Sequence, residues 1–336
     1  MKTILYKVSF FSFLAVLFFS CSETKKNSTQ ENKKPKVAKP VLAVPDFNAD
    51  SAYQFVAAQV AFGPRVPNTM QHQMCGDYLV EQLKSFGWEV TEQNFEATAY
   101  NGTLLKGRNI IGSFNPEMSK RVLLGSHWDS RHVADQEGVD EPILGANDGA
   151  SGVGVLLEMA RLIGADTVQP QLGVDIIFFD VEDYGAPSSE ENISEQQITY
   201  CLGSQYWTEN LHKEGYHAYF GVLLDMVGAK NARFTKEGYS RQFAPKVVDK
   251  IWDKAAQLGY GQYFVNQNTE PIVDDHYIVN VQSSITMIDI IHYDTVQDNP
   301  FFEHWHRTTD NMDNIDKNTL KAVGQTLLHL VYNDII

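Results

Sequence analysis

The apolar run at residues 176–179, inside the segment DIIFFDVEDYG, constrains the fold of this chain more than any other feature. Four consecutive apolar residues predict a strand that is buried on both faces, as the central strands of a parallel sheet are. The run meets Asp180, Glu182 and Asp183 within four positions. Burying three carboxylates is costly unless hydrogen bonds or a cation compensate, so the strand predicts both a sheet and a charged site at its end.

Segments with strand and helix patterns alternate along the chain on both sides of this run. The predicted strands cover residues 88–97, 108–114, 121–126, 172–180, 219–228 and 285–291. The predicted helices cover residues 50–61, 68–86, 147–163, 202–211, 244–258 and 317–335. This alternation predicts a single-domain α/β sandwich, in which a twisted mixed sheet with a parallel centre is flanked by helices. Because the first three strands follow one another closely, we expect them to form an antiparallel edge.

The first 45 residues differ in composition from the rest of the chain. Residues 1–20 combine basic residues with an apolar run, which is typical of a secretory signal peptide and too short to span a bilayer comfortably. The ending LFFSC is similar to a bacterial lipoprotein signal with Cys21 as the lipidated residue, although Phe18 stands where a small aliphatic residue is usual. An ordinary secreted protein is the alternative. Residues 21–45 are polar and rich in Lys and Pro, which predicts a flexible tether.

We therefore expect an exported lipoprotein, anchored to a bacterial membrane through Cys21 only and facing the periplasm. Its folded domain is predicted at residues 46–336. Residues 1–40 hold eight Lys and two Glu, so the remainder has 19 basic and 40 acidic side chains and a net charge of −21. Such a charge repels phosphate backbones and argues against nucleic acid, whereas it tolerates substrates with a cationic amino terminus.

Only Cys75 and Cys201 remain after Cys21. Export permits a disulfide between them, and two buried free thiols are the alternative. Two cysteines are too few for a metal site built on cysteine ligands.

Side chains of metal-ligand type follow several predicted strands and open one helix. In an α/β sheet such groups collect beyond the carboxyl ends of the strands. Five of them are expected at one edge of the sheet: His127, Asp148, Asp183, Asp225 and His306. Singly, each has an ordinary explanation as a helix cap, a loop residue or a surface histidine. Together, carboxylates and imidazoles without thiolate suit a catalytic zinc site, and a cation would also offset the repulsion between the carboxylates.

The segments SHWDS, GANDGASG, FFDVED, LLDMVGA and HWHRTTDN resemble, in order, the motifs of the zinc-dependent aminopeptidase superfamily, which also contains the glutaminyl cyclases. The resemblance spans essentially all of the globular part. It implies two zinc ions on five ligands in the aminopeptidase branch and a single zinc on three ligands in the cyclase branch. The cyclase resemblance assigns one zinc per chain to Asp148, Asp183 and His306. It places His127 and Asp129 next to these three ligands, either as residues that support the ligands or as ligands of a second metal ion.

Three features favour the glutaminyl cyclase branch. Asp183 stands where the aminopeptidases have Glu, and bacterial cyclases are similar in having Asp at this position. Trp305 precedes His306 and resembles the indole that walls the cyclase pocket, with simple packing as the alternative. Asp274, in PIVDDHYIV, resembles a member of the cyclase carboxylate cluster, with a turn cap as the alternative. Residues 184–200 contain no matching pocket Trp, and Trp207 on the following helix is expected in the core.

The cyclase resemblance implies conversion of an amino-terminal Gln to pyroglutamate with release of ammonia. Glu182 would transfer the proton, Asp225 and Asp274 would orient the reacting nitrogens, and zinc would polarise the γ-carbonyl. The implied partners are peptides or exported proteins with amino-terminal Gln, acted on by a monomer. A zinc aminopeptidase that hydrolyses the first peptide bond is the main alternative, and a tethered binding protein without turnover is another.

The order of the acids after the central strand carries a geometric requirement. Side chains alternate along an extended strand, so Asp180 and Glu182 point one way and Asp183 points the other. A bend after Val181 is therefore required if Glu182 and Asp183 are to face one zinc site. Asp180 is expected to be a structural hydrogen-bond acceptor behind that site.

Overall fold

A six-stranded mixed sheet with helices on both faces forms the centre of the computed structural model. The structure describes residues 41–187, 189–190, 197–296 and 299–334. The strands of this sheet are β1 Glu89–Thr98, β2 Leu104–Phe114, β3 Arg121–His127, β4 Gly173–Phe179, β5 Gly221–Asp225 and β8 Met287–Ile291. Their order across the sheet is β1-β2-β4-β3-β5-β8, with β3 parallel to both β4 and β5, and β5 parallel to β8. The predicted mixed sheet with a parallel centre is confirmed.

The predicted antiparallel edge is wrong in one strand. β1 pairs with β2 and β2 pairs with β4 in antiparallel fashion, whereas β3 lies inside the sheet between β4 and β5. All seven residues of β3 are buried, so this strand needs a neighbour on each side and a covering layer on each face. Its short connection to β2 could not show this, because chain proximity does not oblige two strands to pair.

Eight α-helices are present in the described part of the chain. They are α1 Ala49–Ala61, α2 Met70–Ser85, α3 Ala150–Ala165, α4 Leu202–Glu209, α5 Gly238–Phe243, α6 Pro245–Gln257, α7 Asp275–Gln282 and α8 Lys317–His329. The sequence patterns missed α5 and α7, together with a small parallel pair of strands, β6 Phe234–Lys236 and β7 Phe264–Asn268. The last predicted helix is also shorter, since a π-helical turn at Leu330–Asp334 follows α8.

Alternate residues of the central strands enter two separate cores. In β4, Ile176 and Phe178 belong to the large core that includes residues of α1, α2, α3, α6 and α8, whereas Ile177 and Phe179 belong to a smaller core with Trp207 of α4. Burying one such side chain stabilises the fold by about 1.5–3 kcal/mol. The sheet is therefore held from both faces, and its strand ends are fixed in position. Trp207 is fully buried, as predicted.

Cys75 and Cys201 are both buried free cysteines, so the open question of a disulfide is answered by two separate thiols. No helix in the described ranges is long and apolar enough to cross a membrane. The predicted signal peptide, Cys21 and most of the tether lie outside the described residues.

Candidate functional site

The chain bends sharply where β4 ends, and this bend builds the site. Val181 has a φ of +55°, in the left-handed region that β-branched residues rarely adopt. The carboxylate of Asp129 fixes the bend, because its two oxygens accept the backbone N–H groups of Glu182 and Asp183, each at 3.1 Å. The bend required by the alternation of Asp180, Glu182 and Asp183 is confirmed. Asp129 thus lies behind the bend and 3.5 Å from His127 Nδ1.

Asp180 braces the bend from the other side. Its carboxylate is fully buried and accepts the backbone N–H groups of Arg108 at 2.6 Å and Val181 at 2.8 Å. His72 Nε2 lies 2.8 and 2.9 Å from its two oxygens. The expected role as a structural acceptor is therefore confirmed.

Replacing Asp180 with Ala is expected to destabilise the fold by about 3–5 kcal/mol, because a buried imidazole and two backbone N–H groups lose their acceptor. Urea unfolding measures this loss. Asp77→Ala is the matched control, since Asp77 is an exposed carboxylate paired with the Arg108 side chain and should contribute less than about 1 kcal/mol. Equal losses in both variants would contradict the bracing role of Asp180.

Asp148, Asp183 and His306 form one group that could hold a metal ion. One ligand atom from each lies within 4.8 Å of the others, and all three side chains are buried. His306 Nε2 is 3.2 Å from Asp183 Oδ1 and 3.9 Å from Asp148 Oδ2. The Oδ2 atoms of Asp148 and Asp183 have no hydrogen-bond partner among the described residues. Buried carboxylate oxygens without partners, facing an imidazole, fit a divalent cation such as zinc.

A second group shares Asp148 with the first. His127 Nε2 lies 3.1 Å from Asp148 Oδ1 and 3.3 Å from Asp225 Oδ1, and these three residues also present ligand atoms within 4.8 Å of one another. The five residues predicted at one edge of the sheet are thus brought together. Asp148 bridges two adjacent groups, so the geometry accommodates either one cation or two.

Arg131 and Asp135 support the first group and were missed in the sequence. Arg131 is fully buried, and its Nη1 donates to Asp183 Oδ1 at 3.3 Å, while Asp135 Oδ1 lies 3.1 Å from His306 Nδ1. The same guanidinium binds both oxygens of Asp135, at 2.7 and 3.0 Å. Both residues follow His127 closely in the chain, beyond the end of β3, and that position was the only available signal. Carboxylates that orient a metal-binding imidazole are common.

Two further residues fix the loops that carry His127 and Asp148. The carboxylate of Asp310 accepts the backbone N–H groups of Asn147 at 2.9 Å and Asp148 at 3.1 Å. The buried guanidinium of Arg65 donates to three backbone carbonyls, those of Trp128, Leu144 and Gly145. Asp310 lies in the segment HWHRTTDN that carries His306, whereas nothing in the sequence distinguished Arg65.

Glu182 lies in an environment that favours its protonated form. Burial raises its pKa well above the usual value, and the negative charges of Asp183 and Asp274 raise it further against the opposing effect of His127. Burial also raises the pKa of Asp183, yet the charges of His306 and Arg131 lower it overall. Adjacent carboxylates therefore differ in chemistry, because one tends to hold a proton and the other stays ionised.

A cavity of about 230 Å³ opens directly onto these side chains. Glu182, Asp225 and Asp274 line it together with the metal group and Trp305. The Trp305 ring stacks on His306 at 3.8 Å and on Phe301 at 4.6 Å, so it both packs and walls the cavity. A larger groove of about 960 Å³, beside α2, β1 and β2, contains none of the predicted site residues.

Asp274 serves two purposes in the cavity wall. It is the N-cap of α7, and its Oδ1 accepts the Asp275 N–H at 2.5 Å. Its Oδ2 has no hydrogen-bond partner among the described residues. The cap and the carboxylate cluster are thus compatible. Burial, followed by the charge of Asp225, raises the pKa of Asp274 to about 6.

Comparison with known proteins gives matches over most of the chain. The profile of peptidase family M28 matches residues 109–331. The glutaminyl-peptide cyclotransferase of Drosophila melanogaster is 27% identical over 274 residues, which cover 75% of this chain and 72% of the fly protein.

Two solved structures are more similar. A Zn-dependent exopeptidase from Parabacteroides distasonis is 53% identical with a TM-score of 0.84, covering 87% of this chain and 100% of that one. A glutaminyl cyclase from Bacteroides thetaiotaomicron, bound to N-acetylhistamine, is 53% identical with a TM-score of 0.83, covering 87% of this chain and 99% of that one. Both likenesses agree with the observed α/β fold, and the first agrees with a zinc site.

Proposed function

We propose that this chain, which belongs to peptidase family M28, is a glutaminyl-peptide cyclotransferase like the relatives described above, converting an amino-terminal Gln to pyroglutamate and releasing ammonia. One observation carries the choice. Three carboxylates, Glu182, Asp225 and Asp274, line a cavity of about 230 Å³ beside the Asp148, Asp183 and His306 group, and none of the three belongs to that group. Drug-sized ligands occupy cavities of about 300–1,000 Å³. The smaller volume suits one terminal side chain and its amine.

The reaction is intramolecular, so the protein must fold the Gln side chain back on itself and move one proton. The α-amino nitrogen forms a bond to the γ-carbonyl carbon, and the bond from that carbon to the amide nitrogen breaks. Glu182 takes the proton from the attacking amine and delivers it to the leaving nitrogen, which departs as ammonia. Its raised pKa suits both halves of this transfer, because a carboxylate with a higher pKa accepts a proton more readily and its protonated form can then donate to the leaving nitrogen.

A single zinc per chain is proposed on Asp148, Asp183 and His306. Lewis-acid polarisation of the γ-carbonyl oxygen is the chemistry that zinc supplies when bound there. Arg131 holds the Asp183 carboxylate and Asp135 faces the His306 imidazole, so this chain fixes two of the three ligands before any metal binds. His127 and Asp225 remain beside the group and contribute charge.

Asp225 and Asp274 are proposed to orient the two nitrogens. Both line the cavity, and Asp274 Oδ2 has no other partner among the described residues. An ionised carboxylate at this place accepts hydrogen bonds from the amine and from the amide as it gains a proton. Trp305 covers the apolar part of the substrate side chain.

The rate constant kcat/KM is expected to fall as pH drops through about 6. Asp274 has a raised pKa of about 6, so below that pH it gains a proton and no longer attracts the substrate nitrogen. Asp274→Asn should lower the maximal kcat/KM. The decrease in kcat/KM that remains at acid pH, which Glu182 causes, should move to lower pH, because the charge of Asp274 also raises the pKa of Glu182. Steady-state rates across about pH 5–8 measure this. A decrease at unchanged pH in the variant would contradict the role of Asp274.

The proposed reaction is tested with a Gln-initiated dipeptide. The expected products are the pyroglutamyl peptide and one ammonia per turnover, with the peptide bond intact. Hydrolysis of the first peptide bond without ring closure would overturn the proposal and identify an aminopeptidase.

An aminopeptidase remains the second candidate because one observation favours it. Asp148 lies between two groups with ligand atoms within 4.8 Å, which is the arrangement that two bridged cations require. Metal analysis separates the two functions, since one zinc per chain supports the cyclotransferase and two support the aminopeptidase.

The cellular setting is also a proposal. Residues 1–20 support export, and LFFSC supports lipidation of Cys21, with residues 21–45 as a tether. The protein would then act as a membrane-anchored monomer in the periplasm, on peptides or exported proteins with amino-terminal Gln. Mass measurement of the mature amino terminus, which should begin at a lipidated Cys21, tests this setting.

A further inference from the structure

Cys201 lies directly behind the proposed proton-transfer residue. Its Sγ is 3.4 Å from Glu182 Oε1, and its backbone N–H donates to the Glu182 carbonyl at 2.9 Å. The Leu202 N–H donates to the Val181 carbonyl at 3.0 Å, so both residues of this segment are bonded to the bend. The thiol is fully buried and takes no part in the mechanism derived above.

Glu182, Cys201 and Asp274 together present one ligand atom each within 4.8 Å of one another. Asp274 adds an independent indication of a ligand, because it is 5% exposed and its Oδ2 has no hydrogen-bond partner in the described part of the chain. Its other oxygen is already bonded to the Asp275 N–H. Asp274 also belongs to a group with His276 and Asp289, which contains no sulfur, so a thiolate signal identifies binding at Cys201.

The distances suit a small tetrahedral ion. With a Zn–S bond of about 2.3 Å and a Zn–O bond of about 2.1 Å, tetrahedral ligands lie about 3.6 Å apart. The Cys201 thiol donates a hydrogen bond to Glu182 Oε1 at 3.4 Å, and this distance is close to the value for two ligands of one ion, so a cation can replace the thiol proton with little movement of either atom. Glu182 and Asp274 line the cavity, so a cation that enters the cavity reaches two of the three ligands directly, and Cys201 lies behind Glu182.

We propose that Glu182, Cys201 and Asp274 form an inhibitory site for a soft divalent cation, namely Cd²⁺ or surplus Zn²⁺. One sulfur and two carboxylate ligands suit these ions better than Mg²⁺ or Ca²⁺, which prefer oxygen alone. Binding converts the thiol to a thiolate and releases its proton, together with the proton that Glu182 holds. The bound cation then occupies both Glu182 and Asp274 and stops turnover.

The site is selective for cations that compete well for sulfur. Burial, followed by the charges of Glu182, Asp275 and Asp274, raises the pKa of Cys201 well above its usual value. The thiol therefore keeps its proton when no cation is bound, and the same carboxylates attract a cation once it enters. Because removing the thiol proton costs free energy, this site binds a cation only in surplus metal, after the Asp148, Asp183 and His306 group is filled.

Binding stands on geometry alone, whereas inhibition rests on the proposed function of Glu182. The two are tested separately in zinc-loaded protein that carries Cys21→Ser and Cys75→Ser, so that Cys201 is the only cysteine. Cd²⁺ is added, and the ultraviolet absorption of a cadmium–thiolate bond is recorded beside the turnover of a Gln-initiated dipeptide. The matched control carries Cys21→Ser and Cys201→Ser, which leaves Cys75 alone.

We expect one cadmium–thiolate band per chain when Cys201 is present and none when Cys75 is the only thiol. Inhibition by Cd²⁺ should increase in step with the absorption band. In the control, the Cd²⁺ concentration needed for the same inhibition should be at least about tenfold higher. The rate of each variant is compared with its own rate before Cd²⁺ is added. Exchange of zinc at Asp148, Asp183 and His306 gives no such band, since that group contains no sulfur.

Absence of the band in the protein with only Cys201 overturns the proposal, even if the control variant fails to fold. Inhibition that is equal in both proteins also overturns it, because the inhibiting cation then binds without Cys201. A band without inhibition leaves the binding site standing and contradicts the proton-transfer role of Glu182 instead.

Discussion

Replacing Glu182 with Gln is expected to lower kcat by about 10²–10⁴-fold while the zinc content stays unchanged. The amide keeps the size of the side chain and cannot accept the proton of the attacking amine. Glu182 is not part of the Asp148, Asp183 and His306 group, and its backbone is held by Asp129 whatever the side chain is. Ammonia release and zinc analysis on the same preparation measure both quantities.

Glu209→Gln is the matched control for this experiment, because Glu209 is an exposed residue of α4. It should leave kcat and zinc content unchanged. Loss of zinc in Glu182→Gln would show that Glu182, rather than Asp183, binds the metal. Retention of full turnover would remove Glu182 from the proton transfer.

Replacing His306 with Ala is expected to weaken zinc binding by at least about 10–100-fold and to lower turnover in parallel. The imidazole is the only neutral ligand proposed for the metal, and its loss leaves Asp148 and Asp183 close together without a partner between them. Added zinc should restore part of the activity, and a strong chelator should remove all activity from the unmodified protein.

His304→Ala provides the control within the same segment. The His304 Nδ1 lies 2.8 Å from Thr309 Oγ1, and its ring belongs to neither metal group. We expect unchanged zinc content in this variant, as measured by equilibrium dialysis against a metal indicator. Equal zinc loss in both variants would mean that zinc binding depends on the folding of the whole segment, and would contradict the role of His306 as a zinc ligand.

The site was more predictable from the sequence than the order of the strands. Strand alternation fixed where Asp180, Glu182 and Asp183 could point, so the bend at Val181 followed once the resemblance had placed Glu182 and Asp183 at one zinc site. The place of β3 did not follow, because strand pairing depends on which layers cover each face and not on distance along the chain. Short elements such as β6 and α5 were missed for a similar reason, since they are stabilised by packing rather than by a long periodic pattern.

The supporting residues show the same limit. Arg131, Asp135 and Arg65 each contact atoms that are distant in the sequence, and an isolated Arg or Asp gives no pattern to recognise. Asp274 was recognisable only through resemblance, and its second use as the N-cap of α7 explains why a turn cap was an equally valid interpretation.

Left-handed backbone conformations outside glycine and asparagine gather at the site. Among the described residues these are Val181, Cys201, Met226 and His306. Each such residue costs about 1 kcal/mol or more of stability, which the rest of the fold must sustain. Selection for heat resistance is therefore expected to favour substitutions that relieve the strain at these four positions. Such variants are expected to lose turnover, because the strained residues lie at the site. The strained backbone positions of this protein are therefore the ones that stability engineering should leave unchanged.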